Sequence, residues 1–290
     1  MSAAKKIYLV LGSGGARGYA HIGVIEELEN RGYEIVSISG SSMGALIGGL
    51  YACGKLDAYK EWVLTLDPVD IASLVDLSFK SGGLMAGDKV FEHIDSLIDG
   101  RTFESLDIKM TAVATDIIHK KEVWFQSGNL LQAIRASIAI PSVFTPVKLD
   151  GMVLADGGIL NPLPVAPTMS DRSDLIVAVN LYADTPKPNI QISQYEEKRK
   201  NSLSRAFLEM VERFAGKSDE LNMFDILDKT FDTMQNGLTR YRLGGYPPDI
   251  LINISKDVCN TYDFHKAAEV IEAGRLAARE YFDAKGIYLS

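Results

Sequence analysis

Cysteine and tryptophan are scarce in this 290-residue chain, with two of each, and histidine appears only four times. Cys53 and Cys259 lie far apart and match neither a disulfide framework nor a metal-ligand spacing, so a reduced pair and no metal site are expected. Basic residues are also in deficit. Thirty Lys and Arg face 38 Asp and Glu, a net charge of −8. Nothing here supplies the basic surface that nucleic acid requires, and the balance argues against steady electrostatic attachment to anionic membranes. Long apolar runs are missing too. Ile7 to Leu11 is too short for a signal-peptide core, and no other stretch could span a bilayer. A soluble, cytoplasmic protein without a nucleic-acid partner is the expectation.

A length of 290 residues suits one large domain or two small ones, and the apolar content of 47% is that of an ordinary globular protein. A single domain over 1–290 is the expectation. Strand and helix signals alternate through the first half. Ile7–Leu11 reads as a buried strand, Gly12-Ser13-Gly14-Gly15 as a turn, and Arg17 to Asn30 as a helix with Ile22, Ile25 and Leu28 on its apolar face. A strand over 34–39 and a helix from Ala45 to Ala52 complete a βαβα unit, which argues for a parallel sheet covered by helices. Residues 57–100 read as mainly helical with a break at Gly82-Gly83. Strands are expected at 109–117, 121–126, Leu175–Leu181 and Ile250–Ile254, helices at about 129–138 and Phe264–Phe282, and a hairpin across Asp150-Gly151. The composition turns polar and charged after Thr185-Pro186-Lys187-Pro188. From there to about 235 a helical insertion is expected, serving as a solvated face, a lid or a dimer contact.

Between the second strand and its helix stands Gly40-Ser41-Ser42-Met43-Gly44. A G-x-S-x-G at a strand-to-helix turn is a nucleophile elbow, which pushes the serine into a strained, exposed position at a helix N-terminus. A serine hydroxyl needs a base for its proton and donors for the oxyanion it creates. Gly12-Ser13-Gly14-Gly15-Ala16-Arg17-Gly18 can supply donors, because consecutive N–H groups of a glycine-rich turn can point into one hollow. A dinucleotide loop is the competing reading. It is disfavoured because Arg17 stands where G-x-G-x-x-G wants glycine, and no Lys-Ser/Thr ending is present for a P-loop. Arg17 itself can add charge to the hollow or form an ion pair.

No histidine is well placed as the base. His21 falls inside the first helix, His93 on an apolar helix face and His119 in a turn; His265, next to a helix-capping Asp263, suits a triad only by its late position. Asp156-Gly157-Gly158 is a better candidate, an acid at a strand end on a tight turn, although a self-satisfying Asx-turn fits the same residues. Asp116 has the same position without the glycines.

Glycine-rich turn, G-x-S-x-G and D-G-G, in that order, resemble the patatin-like phospholipases of the compact bacterial type. Ile134-Arg135-Ala136-Ser137-Ile138-Ala139-Ile140-Pro141 and Leu160-Asn161-Pro162-Leu163-Pro164 extend the likeness over residues 5–182. The resemblance implies a three-layer α/β/α fold with a central, mainly parallel sheet. It implies a Ser42–Asp156 dyad without histidine or cofactor, and an oxyanion hole from the backbone of Gly14, Gly15, Ala16 and Arg17 with Met43. Ser13 departs from the family's G-G-G-x-[RK]-G by replacing its first glycine. Gly12, Gly18, Gly40, Gly44, Gly157 and Gly158 are the motif glycines. The implied reaction is hydrolysis of acyl-ester lipids, with Ile138, Ile140, Val143 and Phe144 as candidates for the acyl pocket. Transient contact with a membrane surface and a homo-oligomer are left open. The rival readings are a Ser-His-Asp esterase using His265 and a catalytically quiet lipid-binding or regulatory protein.

Overall fold

The structure is a computed structural model, and it describes residues 5–67, 70–71, 88–141, 144–170, 174–190 and 223–286. Its centre is an eight-stranded sheet. Strand β1 (Lys6–Leu11) lies in the middle, parallel to β2 (Glu34–Ser41) on one side and to β7 (Leu175–Ala183) on the other. Beyond β7 comes β8 (Ile250–Ser255), and beyond β2 comes β3 (Lys109–Asp116), both again parallel. Three short strands complete one end in antiparallel sense: β4 (Lys121–Phe125), β5 (Val147–Leu149) and β6 (Met152–Asp156).

A strand covered on both faces must be apolar on both faces, which is why Ile7–Leu11 is an uninterrupted run. Ile7, Leu9 and Leu11 pack into one core with helices α1 (Ala20–Asn30) and α2 (Met43–Ala52), while Val10 faces a second core with Leu163, Val165 and Ala178. The first core also takes in α3 (Leu56–Thr65), α4 (Asp88–Ile98), α5 (Leu130–Ser137) and α7 (Ala267–Ala284). Leu243 of α6 (Met223–Gly245) packs on the second. This is the expected three-layer α/β/α arrangement around a mainly parallel sheet.

Element bounds depart from expectation in a few places. A 3-10 turn over Gly15–Tyr19 precedes α1, so the first α-helix starts at Ala20. Asp263 does not cap the last helix: its carboxylate accepts from the Asn260 N–H at 3.0 Å and from Lys266 Nζ at 2.6 Å. The break at Gly82-Gly83 and most of the expected insertion fall outside the described residues. The described part of that insertion from 223 onward is helical and forms the first half of α6, which continues to Gly245.

Candidate active site

The elbow begins inside β2, where Gly40 pairs with Leu11 and Ser41 with Val113. The chain then turns through Ser42 at φ 54° and ψ −124° and enters α2. A non-glycine residue held there costs about 1–3 kcal/mol. The turn is feasible because no side chain crowds it. A Cβ on Gly44 would stand 2.1 Å from the Leu11 carbonyl oxygen, and one on Gly40 would stand 2.3 Å from that of Gly44. Gly44→Ala is therefore expected to destabilise the protein by about 1–3 kcal/mol or more and to abolish Ser42 reactivity in the same variant. Thermal denaturation and fluorophosphonate labelling of one preparation measure both.

Asp156 reaches Ser42 through the register of β3. Strand β4 covers one edge of β3, from Ala112 to Asp116. The other edge is shared: β2 ends with Ser41 opposite Val113, and the oppositely directed β6 ends with Asp156 opposite Ala114. The two strands thus meet end to end, and their last residues bring Ser42 and Asp156 together. Asp156 is fully buried. Its Oδ1 accepts from the Gly158 N–H at 2.7 Å, and Oδ2 has no hydrogen bond of ordinary geometry among the described residues. Burial pushes the carboxyl pKa up to about 7, against the opposing pull of the nearby Ser42 hydroxyl and the Gly158 N–H. The Ser42 hydroxyl therefore lies within reach of the carboxylate.

The glycine-rich turn lies across from this pair. Ala16 donates its N–H to the Thr261 carbonyl at 2.8 Å and Arg17 to the Gly14 carbonyl at 3.2 Å, so these two expected donors are engaged. The 3-10 winding consumes them. Among the described residues the N–H groups of Gly14, Gly15 and Met43 have no protein acceptor, which narrows the candidate oxyanion hole to those three. Gly12 and Ser13 anchor the turn to the neighbouring segments, donating to the carbonyls of Val179 and Pro162. The Arg17 guanidinium does not enter the hollow. It is buried, 2.8 Å from Asp232 of α6, donates to the Gly14 and Lys256 carbonyls, and lies over the Tyr182 ring.

Four hydrogen bonds around the site had no assignment in the sequence. The Ser42 N–H donates to Ser137 Oγ at 2.9 Å, and that hydroxyl donates to the Val113 carbonyl at 2.6 Å, so α5 holds the elbow from behind. Ser13 Oγ donates to Gln235 Oε1 at 2.5 Å, and the Tyr182 hydroxyl donates to the same oxygen. The Gln235 amide also fills the space beside Gly158, where an added Cβ would stand 2.4 Å from Nε2. A serine where the resemblance calls for glycine was the one signal that a buried partner was needed.

Ser42, Met43 and Gly15 open onto an apolar cavity with about 650 Å³ between its walls, open mouth included. Ile138, Ile140 and Phe144 line it as expected; Val143 is outside the described residues. Trp62 of α3 and Val90 and Ile94 of α4 supply much of the remaining wall. Three of the four histidines are engaged away from Ser42, and His265 lies in the 3-10 turn Phe264–Lys266. His21 Nε2 lies 2.7 Å from the Gly12 carbonyl oxygen, His93 stacks on Trp62, and His119 Nδ1 lies 2.5 Å from Asp116. Asp116 spends its carboxylate on its own hairpin, accepting from the N–H groups of Ile118 and His119.

A family model described as patatin-like phospholipase matches residues 9–169, which hold the elbow, the glycine-rich turn and Asp156. The chain belongs to the patatin-like phospholipase family. An uncharacterized NTE family protein of Mycobacterium tuberculosis (strain ATCC 25618 / H37Rv) is 37% identical over 98% of this chain and 93% of its own length. Patatin-like phospholipase domain-containing protein 6 of Mus musculus is 30% identical over 60% of this chain and 13% of that protein. The crystal structure of VipD from Legionella pneumophila aligns with a TM-score of 0.47 and 14% identity, over 98% of this chain and 67% of that one. Membership in this family carries lipid acyl hydrolysis as the general class of activity. No helix among the described residues is long and apolar enough to cross a membrane.

Proposed function

We propose that this patatin-like protein cleaves fatty-acyl esters of phospholipids, lysophospholipids or neutral acylglycerols with Ser42 as nucleophile and Asp156 as the sole base. The observation that carries this reading is the fully buried Asp156, raised to about 7, beside a strained Ser42. An aspartate at its ordinary pKa is too weak a base for a serine hydroxyl; burial brings it into the working range.

Asp156 takes the proton from Ser42 Oγ as that oxygen bonds to the ester carbonyl carbon. The carbonyl oxygen becomes an oxyanion held by the N–H groups of Gly14, Gly15 and Met43, with the α2 N-terminus behind the last of these. The intermediate collapses, the C–O bond to the alcohol breaks, and the alcohol leaves with the proton from Asp156. Water then gives a proton to Asp156 and attacks the acyl-serine. Breakdown of the second oxyanion returns the proton to Ser42 and frees the fatty acid. The apolar cavity at Ser42 accommodates the acyl chain.

His265→Ala separates this scheme from a Ser-His-Asp esterase. Activity within about twofold of wild type is expected, whereas loss of a triad histidine costs several orders of magnitude. Fluorophosphonate labelling that disappears in Ser42→Ala distinguishes both from a lipid-binding protein without turnover. Absence of both labelling and esterase activity in the wild type would overturn the enzyme reading.

A further inference from the structure

The turn joining β3 to β4 is built against ordinary turn chemistry. Tight turns favour Gly, Asn, Asp and Pro, yet this one is Ile117-Ile118-His119-Lys120, with Lys120 at φ 55°. Asp116 makes the turn hold. Its buried carboxylate accepts from the Ile118 N–H at 3.1 Å and the His119 N–H at 3.3 Å, and lies against His119 Nδ1. The result is a fixed tip that presents two isoleucines to solvent, Ile117 at 43% and Ile118 at 59% exposure.

A second tip stands beside it. The Ile117 N–H donates to the Val153 carbonyl, and Val153 pairs with Lys148, so the β5–β6 hairpin reaches the same end of the sheet. Around the isoleucines are Lys120, Lys121 and Lys148, all exposed and without ion pairs among the described residues. The acids nearby do not cancel them. Asp116 is buried in its turn, Glu122 pairs with Arg242, and Asp150 is the one exposed carboxylate at these tips. A chain of net charge −8 therefore carries a local basic rim around an apolar wedge. The wedge lies on the catalytic side of the sheet. Asp156 is opposite Ala114, and at about 3.3 Å per residue the tip stands roughly 10 Å further along β3.

We propose that these two hairpin tips dock the protein on an anionic lipid bilayer, with Ile117 and Ile118 entering the interface and the three lysines meeting acidic headgroups. Apolar side chains rimmed by lysine are the combination that binds such surfaces, and each lysine contributes about a fivefold gain in affinity. The inference goes beyond the hydrolytic reading, since docking needs no turnover.

Sedimentation with phosphatidylcholine vesicles, plain or with about one third phosphatidylserine, tests it at low and high salt. Wild type is expected to bind the anionic vesicles in a salt-sensitive manner and the neutral ones poorly. Ile118→Glu is expected to weaken anionic binding at least about tenfold, and Lys120→Glu with Lys121→Glu at least about twentyfold. Hydrolysis of a short water-soluble ester should be unchanged in all variants, which also verifies folding. Equal binding by wild type and variants, or no preference of wild type for anionic vesicles, would overturn the proposal. Because sedimentation reads binding alone, its failure is distinct from a failure of the esterase reading.

Discussion

Ser42→Ala is expected to lower hydrolysis of acyl esters by at least about 10⁴-fold and to abolish labelling by a fluorophosphonate, with the thermal midpoint almost unchanged. Residual activity from a preformed oxyanion hole is what remains when a nucleophile is removed, so the loss is large without being total. Alanine meets the same positive φ as serine at position 42, so the elbow's strain persists and stability should not rise. The neighbouring contacts also survive, because Ser137 Oγ receives the backbone N–H of residue 42 and not its side chain. Rates on a lipid panel, probe labelling and a melting curve on the same preparation decide it. An active Ser42→Ala variant would eliminate the nucleophile assignment outright.

Asp156→Asn should move activity and stability in opposite directions. The native carboxyl titrates at about 7, above the ordinary 3.8 that the unfolded chain retains. Below pH 3.8 both states hold the proton and the residue contributes nothing. Between 3.8 and 7 the native state holds a proton that the unfolded state has released, so stability falls as pH rises. Above 7 the full penalty applies, on the order of 4 kcal/mol for a shift of about three units. Asparagine carries no charge to desolvate and keeps an oxygen for the Gly158 N–H. The variant is therefore expected to be more stable than wild type by a few kcal/mol at pH 8, with the gain vanishing near pH 4. Its hydrolytic rate should drop by about 10³-fold or more. Wild-type kcat/KM should decline about tenfold per pH unit below pH 7, the range in which the base is protonated. Denaturant midpoints at pH 4.5 and pH 8 test the stability half; equal midpoints at pH 8 would mean that the carboxylate is not desolvated.

The legible parts of the sequence were those whose physics is local. Buried parallel strands are rich in apolar and β-branched residues, so β1, β2, β7 and β8 are legible within a few residues of their ends. The elbow was legible because a strand, a G-x-S-x-G and a helix follow one another without a gap. What escaped was set by distant segments. Nothing in Gly14–Arg17 says that the Ala16 N–H will be taken by Thr261, so the donor set was overdrawn by two residues. The walls that α3 and α4 give the cavity share the periodic apolar pattern of ordinary core positions, and spacing alone cannot separate the two uses. The meeting of Ser42 with Asp156 depends on β2 and β6 sharing an edge of β3, a register that no motif encodes.

The fastening of the glycine-rich turn has a consequence for how the protein opens. Gly12 and Ser13 are tied to Val179 and Pro162, but the rest of the turn is held by Asp232, Gln235, Lys256 and Thr261, all beyond the stretch that matches the family model. Proteins loosen in cooperative pieces well before they unfold globally. If α6 and the segment before α7 lift away as one such piece, Gly14 and Gly15 lose their support while β1, β2 and β3 stay paired. Amide exchange at Ala16, whose N–H is held by the Thr261 carbonyl, should then follow exchange in α6 and not exchange in the central strands. The turn would act as a latch, leaving a partly opened molecule folded at its centre but disarmed towards lipid.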